Sequence, residues 1–152
     1  MATLTRDFQR TNHAIHVENH QVLEELRMLD HALDRMQHSG DMFDRLATAK
    51  EVEIYGKWLA AELPDHFLRE ERNLLDSVAD ISPQLSQFCT AMKQQHRDFS
   101  ARLDGFNAAI RNLEYAEELE PALAKVADQG KQFTHDMRAH IQLEEEELSG
   151  FL

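Results

Sequence analysis

Residues 83–115 read PQLSQFCTAMKQQHRDFSARLDGFNAAIRNLEY. Leu85, Met92, Phe99, Phe106 and Leu113 recur every seventh position, and Cys89, His96, Leu103 and Ile110 form a second row beside them. Two adjacent rows at that spacing make one apolar face of an α-helix, whereas a half-buried strand would alternate at every second residue. Ser82 followed by Pro83 supplies an N-cap and a first-turn proline, so a helix begins here. His96 stands in the apolar face, where a leucine would pack at lower cost. The core of this protein therefore has a task besides packing.

The same pattern occurs three more times. From about Phe8 to His38 the inner positions are Phe8, Ile15, Val22, Leu29 and Met36, joined by Leu26 and Leu33. Ser39-Gly40-Asp41 closes that segment, with glycine as the natural C-terminal residue. From about Met42 to Val78, Val52, Leu59 and Leu63 lead to His66 and Glu70. Pro64 removes one backbone donor there and predicts a local kink. The fourth segment starts near Pro121 and runs to about Ser149, with Leu119, Val126, Phe133 and His140 in one row and Leu123, Gly130, Met137 and Glu144 in the other. With only 5 Gly and 3 Pro there is room for few turns. The expectation is an all-α fold, an up-down-up-down antiparallel four-helix bundle forming a single domain over residues 1–152.

Composition narrows the function. The chain has 152 residues, 42% of them hydrophobic, enough for a core without staples. A net charge of −12 speaks against nucleic acid and against anionic lipid as partners. Cys89 is the single cysteine, so no internal disulfide forms. The segment Met1 to Asp7 lacks the apolar core of a signal peptide, and no apolar run approaches the ~18 residues of a membrane span. A cytoplasmic protein is expected, alone, as a homodimer or with an unidentified protein partner.

Nine histidines is a high number for this length, and histidine is the commonest metal ligand. His66, Glu70, His96, His140 and Glu144 all occupy inner rows. Buried charge without a partner costs several kcal/mol, so these residues need a shared reason. His66 with Glu70 and His140 with Glu144 are i,i+4 pairs that project from one helix face. With turns near Ser82 and Glu118, His66 and Glu70 lie about 24 and 18 Å from the former and His96 about 21 Å, while His96 and His140 are each about 33 Å from the latter. An antiparallel bundle brings them into one layer. Two imidazole–carboxylate pairs and a third imidazole suit iron, zinc or manganese.

The first segment offers His13, His16, His20, His31 and His38. Its level and its angle to the apolar face favour His16 as a fourth nitrogen ligand, with His20 as the alternative. His13, His31, His38 and His135 point outward. Glu71, Glu145, Glu146 and Glu147 read as a solvated face near helix ends. Met92, Met137 and Cys89 read as core, and Tyr55, Trp58 and Tyr115 as packing residues.

The segments Asp65-His66-Phe67-Leu68-Arg69-Glu70-Glu71 and Ala139-His140-Ile141-Gln142-Leu143-Glu144-Glu145-Glu146, with His96 between them, resemble the two His-x-x-x-Glu signatures of the hemerythrin-like, or HHE cation-binding, family over nearly the whole chain. The resemblance implies a non-haem di-iron centre, two iron ions with an oxo or hydroxo bridge, bound by His16, His66, Glu70, His96, His140 and Glu144. Residue chemistry alone also admits zinc or manganese. Oxygen-carrying hemerythrins have a second histidine on the third helix four residues from the first. Here Met92 and Ser100 stand at those positions, and the fourth-helix carboxylate is Glu at four residues instead of Asp at five. The implied function is binding, sensing or reaction with oxygen, peroxide or nitric oxide through an open metal position. The alternatives are a di-iron enzyme of peroxidase or nitric-oxide-processing type, and an iron-responsive binding module.

Overall fold

The computed structural model describes residues 6–38 and 40–149. Residues 1–5, Ser39 and 150–152 lie outside the described residues, and with them most of the leader reading and part of the first turn. Helix α1 spans Arg6–His38. Gly40 follows at φ 77, the left-handed conformation that glycine adopts without a Cβ penalty. Asp41 then caps α2, its side chain accepting from the Asp44 backbone N–H at 2.9 Å. Helix α2 runs Met42–Glu70 with Pro64 inside it. It continues through a π-helical turn at Glu71–Leu75 and a last α turn at Asp76–Val78. The expected helix does reach Val78, but a π turn after Glu70 interrupts it. The wider π turn alters the facing of the residues after Glu70 and puts both Leu74 and Leu75 inside.

Helix α3 spans Pro83–Arg111, and Ser82 Oγ accepts from the Leu85 N–H at 3.1 Å, the cap that the sequence predicts. A 3₁₀ turn at Leu113–Tyr115 leads to α4, Leu119–Leu148, so Pro121 falls within the first turn. Each helix packs on its chain neighbour, and α1 also packs on α4, which closes the ring of a four-helix bundle. Among the described residues no strand occurs, and no helix is long and apolar enough to cross a membrane.

The core falls into two parts. A large cluster includes Leu26, Leu29, Leu33, Met36, Leu59, Phe106, Leu123 and Phe133. A smaller one, at the end where α2 finishes and α3 begins, holds Phe8, Ile15, Leu74, Leu75, Val78, Cys89, Met92 and Leu148. Each fully buried Leu, Met or Phe stabilises the fold by roughly 1.5–3 kcal/mol. Gly130 allows close approach in the large cluster, since a Cβ there would sit 2.6 Å from Leu33 Cδ1 and 2.8 Å from Phe106 Cε2. Tyr55 and Trp58 pack against this cluster, but Tyr115 is 78% exposed. The packing expected for Tyr115 is not found, because the apolar face ends at Leu113 and the 3₁₀ turn carries Tyr115 outward.

Candidate metal centre

Between the two apolar clusters lies a polar layer of Asn19, His66, Glu70, His96, His140 and Glu144, each at most 3% exposed. The i,i+4 spacing on α2 aims His66 and Glu70 inward together, and the same spacing on α4 aims His140 and Glu144. His96 enters from α3. Single ligating atoms of Glu70, His96, His140 and Glu144 all lie within 4.8 Å of one another. His66 joins them through Glu70, its Nε2 standing 2.9 Å from Glu70 Oε1.

The imidazoles share one orientation. His66 Nδ1 lies 2.8 Å from Glu18 Oε2, His96 Nδ1 3.0 Å from Glu71 Oε2, and His140 Nδ1 2.7 Å from Gln95 Oε1. Each outer partner is an acceptor, so each Nδ1 donates outward and each Nε2 is left to face the interior. There the Nε2 atoms meet further acceptors. His66 Nε2 faces Asn19 Oδ1 at 2.9 Å as well as Glu70, and His96 Nε2 faces His140 Nε2 at 3.1 Å. Glu70 Oε2 is 3.0 Å from His96 Nε2 without hydrogen-bond alignment, and Glu144 Oε2 is 3.7 Å from His140 Nε2. Both carboxylate oxygens are buried with no hydrogen-bond partner. Lone pairs aimed at one another across about 3 Å repel unless a proton or a cation stands between them. The donor set therefore fits positive ions.

The aromatic residues fix the imidazole planes. Phe67 stacks on His96, and Phe99 meets His140 edge-on with centroids 5.2 Å apart. The electrostatics divide the group. Burial opposes ionisation of Glu70, but the His66 and His96 side chains hold its carboxyl far below the usual carboxylate range. Burial, then the neighbouring Glu70 charge, raise Glu144 well above it. Burial also works against a charge on His66, yet Glu70 and Glu18 outweigh it and raise its pKa. His140 is pushed down to about 4 by burial and by His96.

His16 and His20 are not among the converging side chains. His16 Nδ1 pairs with Glu145 Oε1 at 2.8 Å at the surface, its Nε2 lies 3.1 Å from His20 Nε2, and His20 is exposed. Asn19 takes the inner position on α1. Beside it, between α1 and α4, opens a cavity of about 200 Å³ lined by Asn12, His16, Asn19, Glu144 and Glu145. A larger groove of about 890 Å³, where α2 begins and α3 ends, is lined by Lys50, Arg111 and Tyr115 and lies away from the polar layer.

Sequence reasoning overlooked Asn19 and the outer acceptors Glu18, Glu71 and Gln95. Asn19 had a signal: Asn12, Asn19, Leu26 and Leu33 form one row at heptad spacing. Glu71, read as solvated, is half-buried and holds His96, because the π turn begins there. Glu145 is also half-buried, while Glu146 and Glu147 are exposed as expected, as are His13, His31, His38 and His135. Cys89, Met92 and Met137 are buried in the core.

A family model described as the hemerythrin HHE cation-binding domain matches residues 10–152. Comparison with curated proteins and with solved structures gave no match.

Proposed function

The chain belongs to the hemerythrin HHE cation-binding domain family, and from that membership and the converging Nε2 atoms we propose that it is a cytoplasmic non-haem di-iron protein that binds, senses or reacts with oxygen, peroxide or nitric oxide. The observation that carries the reading is the paired orientation of His66, His96 and His140. Every Nδ1 is engaged by an acceptor outside the layer, and every Nε2 faces a carboxylate oxygen of Glu70 or Glu144, two of those oxygens being buried without a hydrogen-bond partner. His66, His96 and His140 would hold the ions by nitrogen, and Glu70 and Glu144, lying between the imidazoles, would serve both. The iron pair, when bound, supplies a redox-active centre to which a small oxidant or diatomic gas coordinates.

The chain's own residues prepare that centre. Glu18, itself held by Arg69 at 2.9 Å, fixes the His66 ring, and Glu71 and Gln95 fix His96 and His140. Such partners set the tautomer and make Nε2 more basic. Phe67 and Phe99 close the side toward the large apolar cluster and exclude water.

The test is the metal content and the ultraviolet–visible spectrum of protein reconstituted with iron, before and after peroxide. About two irons per chain, with ligand-to-metal bands that change on adding peroxide, are expected. Steady turnover with a reductant would mark an enzyme instead of a sensor. Protein that stays metal-free after iron is offered, with full helicity, would sink the reading.

The position of the layer favours an iron-responsive module as a second reading. It separates the small apolar cluster from the large one, so the state of the metal would be felt by the whole end of the bundle.

A further inference from the structure

Five histidines on α1 compete for a place at the centre, yet the residue that reaches it is an asparagine. Asn19 is 1% exposed, and its carboxamide spans the layer: Oδ1 lies 2.9 Å from His66 Nε2, and Nδ2 donates to Glu144 Oε1 at 3.3 Å. His66 Nε2 faces Asn19 Oδ1 at 2.9 Å and Glu70 Oε1 at 2.9 Å together, while Nδ1 is occupied by Glu18. Three polar atoms from three residues thus crowd one point. His16 is committed elsewhere, to Glu145 and His20.

We propose that the first helix serves the centre through the Asn19 carboxamide oxygen, and that the two cation positions are therefore unequal. One position is bounded by His96, His140, Glu70 and Glu144. The other is bounded by His66, Asn19, Glu70 and Glu144, with a neutral amide oxygen where an imidazole would bind more strongly. This inference rests on the cation-binding reading above.

The consequences follow from ligand chemistry. Two imidazoles and two carboxylates suit iron or zinc, and a tight first ion is assigned there. One imidazole with carboxylate and amide oxygens is a harder, weaker set that discriminates less against manganese than the first. The weaker position also adjoins the cavity between α1 and α4, which Asn19 and Glu144 both line. The buried Asn12 Nδ2 lacks a hydrogen-bond partner in that lining. That cavity would give water and small ligands access to the Asn19 side of the layer.

The experiment titrates metal-free protein with cobalt(II) under anaerobic conditions, followed by calorimetry and visible absorption, with circular dichroism confirming the fold of each variant. Wild-type protein should bind two ions in steps at least tenfold apart. Asn19→Asp places a charged oxygen at the second position and should tighten the second step about tenfold. Asn19→Leu should abolish that step and keep the first. A double variant, His16→Ala with His20→Ala, should retain both steps. Loss of the second ion in the double variant would overturn the proposal. So would a weaker second step in Asn19→Asp, because that result means Asn19 acts only as a donor to Glu144. Wild-type protein that takes no ion would fail the cation-binding reading itself, a different outcome.

Discussion

The Phe67 ring lies flat on the His96 imidazole, with centroids 4.1 Å apart and planes 8° from parallel. The two residues come from α2 and α3, and Phe67 immediately follows His66. One residue of α2 thus supplies an imidazole to the centre, and the next clamps the imidazole of a neighbouring helix. Replacing Phe67 by Leu keeps an apolar side chain but removes the stack. Stability of the metal-free protein should fall by about 1 kcal/mol for the lost ring pair, with a further loss for the unfilled volume. Urea unfolding measures the total, and an unchanged midpoint would show that the stack contributes nothing.

Glu71 should matter to the centre without touching it. Its carboxylate holds His96 Nδ1 at 3.0 Å. Outer partners of this kind typically contribute 10–100-fold in metal affinity. Glu71→Ala should therefore weaken the first ion by about that factor while leaving helicity intact. Glu146→Ala, at an exposed position on α4, should do nothing, and equal effects from the two variants would argue for a general acidic field.

Metal loading should release protons. Glu144 is held protonated by burial and by Glu70, and His66 has a raised pKa in spite of burial because of Glu70 and Glu18. An ion that takes their place must expel those protons, so apparent affinity rises with pH through the raised pKa values of both groups. His140, pushed down to about 4, is already neutral near pH 7 and releases none. Titration in weakly buffered solution with an indicator dye reads the protons directly. Loading without proton release would contradict the assigned protonation states.

Removing the metal should loosen one end of the bundle before the other. In the metal-free state Glu70 Oε2 and Glu144 Oε2 stay buried without a hydrogen-bond partner, and the small cluster of Phe8, Leu75, Met92 and Leu148 stands beyond their layer. Hydrogen exchange should accelerate first in residues 71–92 and near the start of α1, while the large cluster around Leu29 and Phe106 stays protected. Uniform exchange along all helices would show that the layer does not divide the bundle.

Gly130→Ala tests the close approach of α4 to its neighbours. The new Cβ would overlap Leu33 Cδ1 and the Phe106 ring. Overpacking of this kind typically costs about 1–3 kcal/mol. Thermal unfolding should show it, and a stabilised variant would mean that the helix gains more from losing glycine than the core loses.

Much of this was legible in the chain. Heptad rows such as Leu85 to Leu113 predict the helices, and Ser82-Pro83 marks a helix start to the residue. The pairs His66–Glu70 and His140–Glu144 predict an inward-facing layer because i,i+4 spacing is a local property of any α-helix. These features need no knowledge of the neighbours.

The choice among Asn19, His16 and His20 was not local. Asn19 shares the heptad row of Leu26 and Leu33, but only packing against α2 and α4 brings its carboxamide to His66 and Glu144 and turns His16 to Glu145. The same holds for the outer acceptors. Glu18 meets His66 across helices, Gln95 meets His140 across helices, and Glu71 reaches His96 where a π turn follows Glu70. Sequence alone determined that this protein has four amphipathic helices with histidine and glutamate in their core rows, because periodicity is written in consecutive residues. Tertiary structure decided which side chain of α1 meets that core and which acceptors orient its imidazoles, because those depend on helix rotation and register set by the packing of the whole bundle.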